Sequence, residues 1–244
     1  MESSQLERHG DSPAPPYVKL FSMMSQHRSG EYNISGGSWS ASTNGSALFF
    51  EGDGSLNVSG GDIALYSILM DGGSFGTHTG NTVLKLTGTD AGSLVTTTMR
   101  LLPNAGGSAE SQFVFTSSGI DSWKSLGGSN SLFLSDGVNS GDLNVDMSAY
   151  TTSGIEGFKL FDYSSAGALG GAFGSISVSD SFGALSLGTS AASLTAGEYF
   201  LEYADSNIGD GTDIVLYAYT IPEPSTLVLV GLSLLVLGAF RRFR

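Results

Sequence analysis

From Gly30 onward the chain runs in short apolar stretches broken by Gly, Asn, Asp and Ser. In YNISGGSW (Tyr32 to Trp39) and LNVSGGDI (Leu56 to Ile63), apolar and polar residues alternate. A Gly-Gly pair then supplies a turn that tolerates positive φ, and a further apolar residue follows. GDLNVDMSAY puts Leu143, Val145 and Met147 on one face, with Asn144, Asp146 and Ser148 on the other. EYFLEYAD repeats that arrangement with Tyr199, Leu201 and Tyr203, and TDIVLYAYT (Thr212 to Thr220) is a near-continuous apolar strand. FKLFDYSSAGALGGAFGSISVS alternates strand and glycine turn. The pattern predicts an all-β body with about a dozen strands between Gly30 and Thr220 and no helix.

The two Gly-Gly segments are offset by 24 residues. That spacing is about one coil of a parallel β-helix, whose rungs are each too small to bury a core and must stack. LMDGGSF (Leu69 to Phe75) repeats the glycine turn only 12 residues later, so the period is imperfect. Over Gly30 to Gly80 these rungs resemble the Gly-rich strand repeats of autotransporter passenger domains. The resemblance implies a right-handed β-solenoid-like body, which should stack Asn33 on Asn57. The same strand spacing also allows a two-sheet β-sandwich or jelly roll.

The carboxyl end has a different pattern. TLVLVGLSLLVLGAF (Thr226 to Phe240) carries no charge over fifteen residues, and Arg241, Arg242 and Arg244 follow it. As a helix it would be about 22 Å long, short of the roughly 30 Å hydrocarbon layer. Arginines that snorkel to the headgroups extend the span, so one transmembrane helix is expected, with its basic end on the cytoplasmic side. Pro222 and Pro224 lack N–H groups and disfavour the α conformation in the residues before them, which makes Ile221 to Pro224 extended. Glu223 sits in that rigid segment, where an enzyme could bind the backbone as a strand and read one acidic side chain. A Pro-Glu-Pro triplet, a short apolar helix and an arginine-rich end within 24 residues resemble the PEP-CTERM sorting signal of bacterial surface proteins. The resemblance implies that Pro222, Glu223 and Pro224 are recognised by an exosortase, and that Arg241, Arg242 and Arg244 stop transfer. It also implies that the protein is held in the cytoplasmic membrane before it reaches the cell surface or exterior.

Three segments are therefore expected: 1–29, disordered or extraneous; 30–220, the β-body; and 221–244, the sorting signal. The first contains a proline cluster and no recognisable signal peptide, because its longest apolar patch, Tyr17 to Met24, is interrupted by Lys19 and Ser22. Charge narrows the partners. Three of the ten basic residues lie beyond the apolar run, so the first 224 residues hold seven basic against 23 acidic side chains, a net of −16. Nucleic acid is excluded as an expected partner. The absence of cysteine removes disulfides, thiolate chemistry and thiolate-ligated zinc.

Candidate chemistry is sparse. His9, His27 and His78 are scattered, without a second ligand at metal spacing. ADSNIGDGTD offers Asp205, Asn207, Asp210 and Asp213, hard oxygen donors of the kind calcium takes, but it does not fit the helix-loop-helix calcium pattern, and an Asx-rich hairpin turn is the favoured reading. The body's basic residues from Gly30 on are Lys85, Arg100, Lys124 and Lys159, none beside an acidic cluster of ligand type. No cofactor other than calcium is suggested. The expected function is a non-enzymatic exported surface or matrix protein. The alternative is a protein that binds or degrades extracellular polysaccharide, for which an exposed row drawn from Trp39, Trp123, Tyr199 and Tyr217 would speak.

Overall fold

The computed structural model describes residues 25–27, 30–41, 47–50, 53–71, 80–103, 107–129, 131–205, 207–208 and 210–221. These form seventeen strands in one continuous sheet. Among the described residues there is no α-helix, only two three-residue 3₁₀ turns, Ala166–Ala168 and Ala191–Ser193. The fold is all-β, as the alternation predicts.

Most pairings are parallel, and they run in three ladders. The first runs through β2 (Gly30–Ala41), β4 (Gly54–Asp71), β5 (Asn81–Thr87), β7 (Ser108–Val114), β10 (Asp142–Asp146) and β13 (Ser175–Asp180). The second continues from the later parts of β2 and β4 through β6 (Ala91–Leu102) and β8 (Trp123–Ser125) to β11 (Glu156–Tyr163). The third joins β1 (Ser25–His27), β3 (Ala47–Phe50) and the ends of β4 and β6 to β9 (Leu132–Phe133) and β12 (Leu169–Gly170). Asn33 faces Asn57 across the first ladder, and Asn57 Nδ2 donates to Asn33 Oδ1 at 2.9 Å. The 24-residue offset thus sets the register of β2 on β4. Later offsets are longer: Asp142 pairs with Glu110 and Ser175 with Asp142.

Alternation decides what faces inward. Leu56, Leu84, Ser111 and Leu143 form one interior column, and Val58, Leu86, Phe113, Val145 and Val178 form the next. Ile68, Met99 and Leu132 continue the core under the third ladder. The residues between them, Asn57, Lys85, Gln112 and Asn144, face outward. The main cluster of buried side chains runs from Leu48 to Ala218, with edge-to-face aromatic contacts such as Phe113–Phe161 at 5.3 Å inside it, and a smaller one gathers Leu194, Val215 and Tyr217.

Glycine turns stack at one corner. Gly37 and Gly61 both adopt positive φ, at 80° and 87°, and a Cβ on Gly61 would lie 2.7 Å from the Gly37 carbonyl oxygen. The Gly-Gly motif is needed there both for backbone conformation and for close approach of β4 to β2.

The later strands add antiparallel pairings to the sheet. β17 (Asp213–Tyr219) pairs with β11 on one side and β16 (Glu198–Tyr203) on the other. β15 (Ser186–Leu187) extends β16, and β14 (Gly183–Ala184) folds back on β13. Buried on both faces, β17 reads as continuous apolar sequence from Ile214 to Ala218.

Candidate functional site

The chain leaves the body through Thr220 and Ile221, the last two described residues. Thr220 is buried beside Thr152 at the start of the β11 segment. The two threonines bind reciprocally: Thr152 N donates to Thr220 Oγ1 at 2.9 Å, and Thr220 N donates to Thr152 Oγ1 at 3.0 Å. One residue on, Ile221 N donates to Asp180 Oδ2 at 2.8 Å, while Asp180 Oδ1 accepts Phe182 N at 2.8 Å. Asp180 is 6% exposed. A buried carboxylate with two backbone donors is held at both oxygens, and it fixes the direction in which the chain departs.

Pro222, Glu223, Pro224, the apolar run Thr226 to Phe240 and Arg241, Arg242 and Arg244 lie outside the described residues. Among the described residues no helix is long and apolar enough to cross a membrane. Neither Thr152 nor Asp180 is visible from the sequence as part of this exit. They lie 68 and 41 residues from their partners, and a lone Thr or Asp in a strand-and-turn sequence carries no signal of such a role.

The acidic loop between β16 and β17 is folded by its own carboxylates. Asp205 Oδ1 accepts Asn207 N and Ile208 N, and Asp205 Oδ2 accepts the Tyr217 hydroxyl at 2.7 Å. Burial and this bond push the Tyr217 phenol up to about 12. Burial, with Asp205 nearby, also raises Glu202. Asp210 Oδ1 accepts the Thr212 hydroxyl and amide, which hold its carboxyl below the usual range. Asp213 is fully buried; Oδ2 accepts Asp210 N at 3.0 Å, and Oδ1 lies 2.7 Å from Lys159 Nζ. Burial pulls Lys159 down, but the bond to Asp213 together with the charges of Asp213, Asp162 and Asp210 outweighs it and the amine is raised. The four calcium candidates are thus engaged in Asx turns, a tyrosine bond and an ion pair. Among the described residues no three acidic or histidine side chains converge on a metal position. His9 and His78 lie outside the described residues, and His27 lies on β1.

The aromatic candidates turn inward. Trp123, Tyr199 and Tyr217 are buried, and Trp39 is half-buried, stacked on Tyr32 at 6.2 Å. Trp123 and Tyr199 lie in the main core and Trp39 packs against it, whereas Tyr217 sits on the other face of the doubly buried β17, in a smaller cluster with Leu194 and Val215. An outward column on the third ladder does form a groove. Leu69, Arg100 and Phe133 stand in register, and with Thr98 and Asp136 they line about 370 Å³. The Arg100 guanidinium lies over the Phe133 ring, 5.5 Å from its centroid.

No curated protein and no solved structure matches the chain significantly. A protein-family match does fall on the exit segment, and it begins at Thr220, inside the body, so that the buried threonine pair is its first point of attachment. The chain carries a PEP-CTERM protein-sorting motif over residues 220–242.

Proposed function

We propose that this is an exported bacterial surface or extracellular-matrix protein without enzymatic activity, held in the cytoplasmic membrane by its C-terminal signal and processed by an exosortase. The observation that carries the reading is the sorting motif at residues 220–242, fused without a linker to a folded β-body. In this reading Pro222, Glu223 and Pro224 are the recognition element, Thr226 to Phe240 is a single membrane span, and Arg241, Arg242 and Arg244 keep its end in the cytoplasm. The body is a right-handed β-solenoid. Its support is the three parallel ladders with coil-to-coil registers, together with the strong right-handed preference of parallel crossovers. Such a stack serves as a stiff extracellular element without needing a catalytic centre.

The test is a fusion with an epitope tag in the body, expressed with a working signal peptide in a host that has an exosortase. Glu223→Ala should leave membrane insertion intact and block maturation. Serine at Arg241, Arg242 and Arg244 should weaken retention and orientation. Maturation of the Glu223 variant at the parent rate would reduce the tail to a membrane anchor.

A second reading, binding of extracellular polysaccharide, is favoured by the Arg100–Phe133 groove, where a guanidinium lies over an aromatic ring. Saturable retention on isolated exopolysaccharide, lost in Arg100→Ala with Phe133→Ala, would support it.

A further inference from the structure

Among the described residues, seven large hydrophobic side chains are exposed, and four of them surround the point where the chain leaves the body. Phe182, half exposed, and Ile221, 40% exposed, flank a single carboxylate, because Asp180 accepts both of their backbone amides. Leu187, 66% exposed, follows Ser186, whose amide donates to the Gly197 carbonyl; a Cβ on Gly197 would touch Ile221 at 3.4 Å. Ile155 precedes Glu156, which stands opposite Ala218, two residues short of Thr220.

We propose that this capped end of the β-body is a lipid-docking face, with Phe182, Leu187 and Ile221 entering the headgroup region of the membrane that holds the tail. The inference rests on the membrane-span reading of Thr226 to Phe240. The chain itself supplies the reason for choosing lipid as the occupant. Only Pro222 to Ser225 separate Ile221 from the apolar run, so even a fully extended connection keeps the face within about 18 Å of it. The headgroup layer on each side of the hydrocarbon is roughly 5–8 Å thick, so the patch lies within reach of it. Asp180 and the threonine pair remove slack on the protein side, because the connection starts from a fixed backbone.

Charge is not the attraction. The one basic residue between positions 150 and 221 is Lys159, bonded to Asp213. Nearby Glu156 accepts from Ser153 and Tyr150, and Glu198 accepts from Thr195 N. Docking is therefore apolar and insensitive to salt. Its consequence for sorting is orientation. The recognition triplet is presented at the membrane surface with the body seated beside it, and the first coil points away; five strand spacings along the first ladder place that coil about 24 Å further out.

The chain has no cysteine, so single labels can be placed cleanly. Phe182→Cys, Leu187→Cys and, on the first coil, the exposed Ser38→Cys each receive an environment-sensitive fluorophore. The full-length chain is reconstituted into vesicles of phosphatidylethanolamine and phosphatidylglycerol that contain headgroup-nitroxide lipid. Flotation with the vesicles reports the anchor independently of the labels. Labels at 182 and 187 should be blue-shifted and quenched about twofold or more, at the shallow depth of interfacial burial, in low and high salt alike. The label at 38 should be unaffected. Phe182→Asp should return the 187 label to the aqueous signal while flotation persists. Aqueous, unquenched labels at 182 and 187 on chains that float would overturn the docking face and leave the anchor standing. Failure to float would overturn the anchor and the docking face together. Blue-shifted labels on vesicles without quenching would assign the patch to a second copy of the chain instead.

Discussion

Gly61 and Gly36 are neighbours in space with opposite tolerance. Gly61 sits at φ 87° with the backbone of Gly36 and Gly37 less than 3 Å from any added Cβ, whereas a Cβ on Gly36 would meet nothing within 4 Å. Gly61→Ala should therefore cost about 1–3 kcal/mol, and Gly36→Ala should stay within about 0.5 kcal/mol of the parent in denaturant unfolding. Equal effects would mean that the stacked corner is not the constraint. Tyr217 gives a second residue-scale prediction, in pH. Its phenol is raised from about 10 to about 12 by burial and the Asp205 bond, so folding favours the neutral form. The resulting stability, on the order of 2–3 kcal/mol, is fully present below pH 10 and lost as pH rises through about 12. Burial raises Tyr163, Tyr199 and Tyr203 in the same direction, so the loss is shared. Tyr217→Phe should be less stable than the parent at pH 7, by about 1–3 kcal/mol, because the Asp205 oxygen loses its hydroxyl donor. It should also lose less stability than the parent between pH 10 and 12, measured by urea titration at each pH.

Two lysine–aspartate pairs separate surface from interior at the level of strands. Lys159 on β11 reaches Asp213 on β17 at 2.7 Å, and the Asp213 side chain is fully buried. Lys124 on β8 meets Asp162 on β11 at 3.9 Å with both side chains partly exposed. Lys159→Met leaves a buried carboxylate without its counter-charge and should cost roughly 3–5 kcal/mol; Lys124→Met should cost less than about 1 kcal/mol. Comparable losses for both would remove the distinction. The same contrast marks what the sequence could and could not convey. Alternation at Leu143, Val145 and Met147, and the unbroken apolar run of β17, are local patterns, and they became strands with the expected faces. The Gly-Gly repeat carried the register of Asn33 on Asn57 because the offset between the two segments is the offset between the paired strands. Later pairings have longer offsets, so their registers had no counterpart in a fixed period. Asp213 reads as one more loop carboxylate in ADSNIGDGTD, because its burial is created by Lys159, 54 residues earlier. Trp123 and Tyr199 look like surface candidates only until the coil direction is known. The sorting motif was legible for the opposite reason: its signal is compact, contiguous and independent of the fold.

Across the whole molecule, the solenoid proposed above has contacts mainly from each coil to the next, so its stability should be graded along the stack. β2 pairs with β4 alone among the described residues and exposes Ser35 to Ser38, whereas β5, β7 and β10 each have parallel neighbours on both sides. Amide hydrogen exchange should be faster in β2 than in those three strands, and uniform protection would contradict a coil-by-coil stack. The closed end raises the question of where the body stops. Thr220 and Ile221 fall within the sorting motif, yet Thr220 is buried against Thr152 and Ile221 is bound to Asp180. A processing event beyond Ile221 leaves all of these bonds in place, and the released body should be as stable as the uncleaved one. A chain ending at Tyr219 loses the threonine pair and the Ile221 donor, leaving the Thr152 amide and Asp180 Oδ2 without these partners while Asp180 Oδ1 keeps Phe182 N. Each unpaired group costs about 1–3 kcal/mol, so together they should lower stability by several kcal/mol. Urea unfolding of chains ending at Ile221 and at Tyr219 makes the comparison directly. Equal midpoints would place the boundary of the body before Thr220 and reduce the exit bonds to incidental contacts. A clear loss in the shorter chain would mean that the body and its sorting signal share two residues, so that only cleavage beyond them releases an intact product.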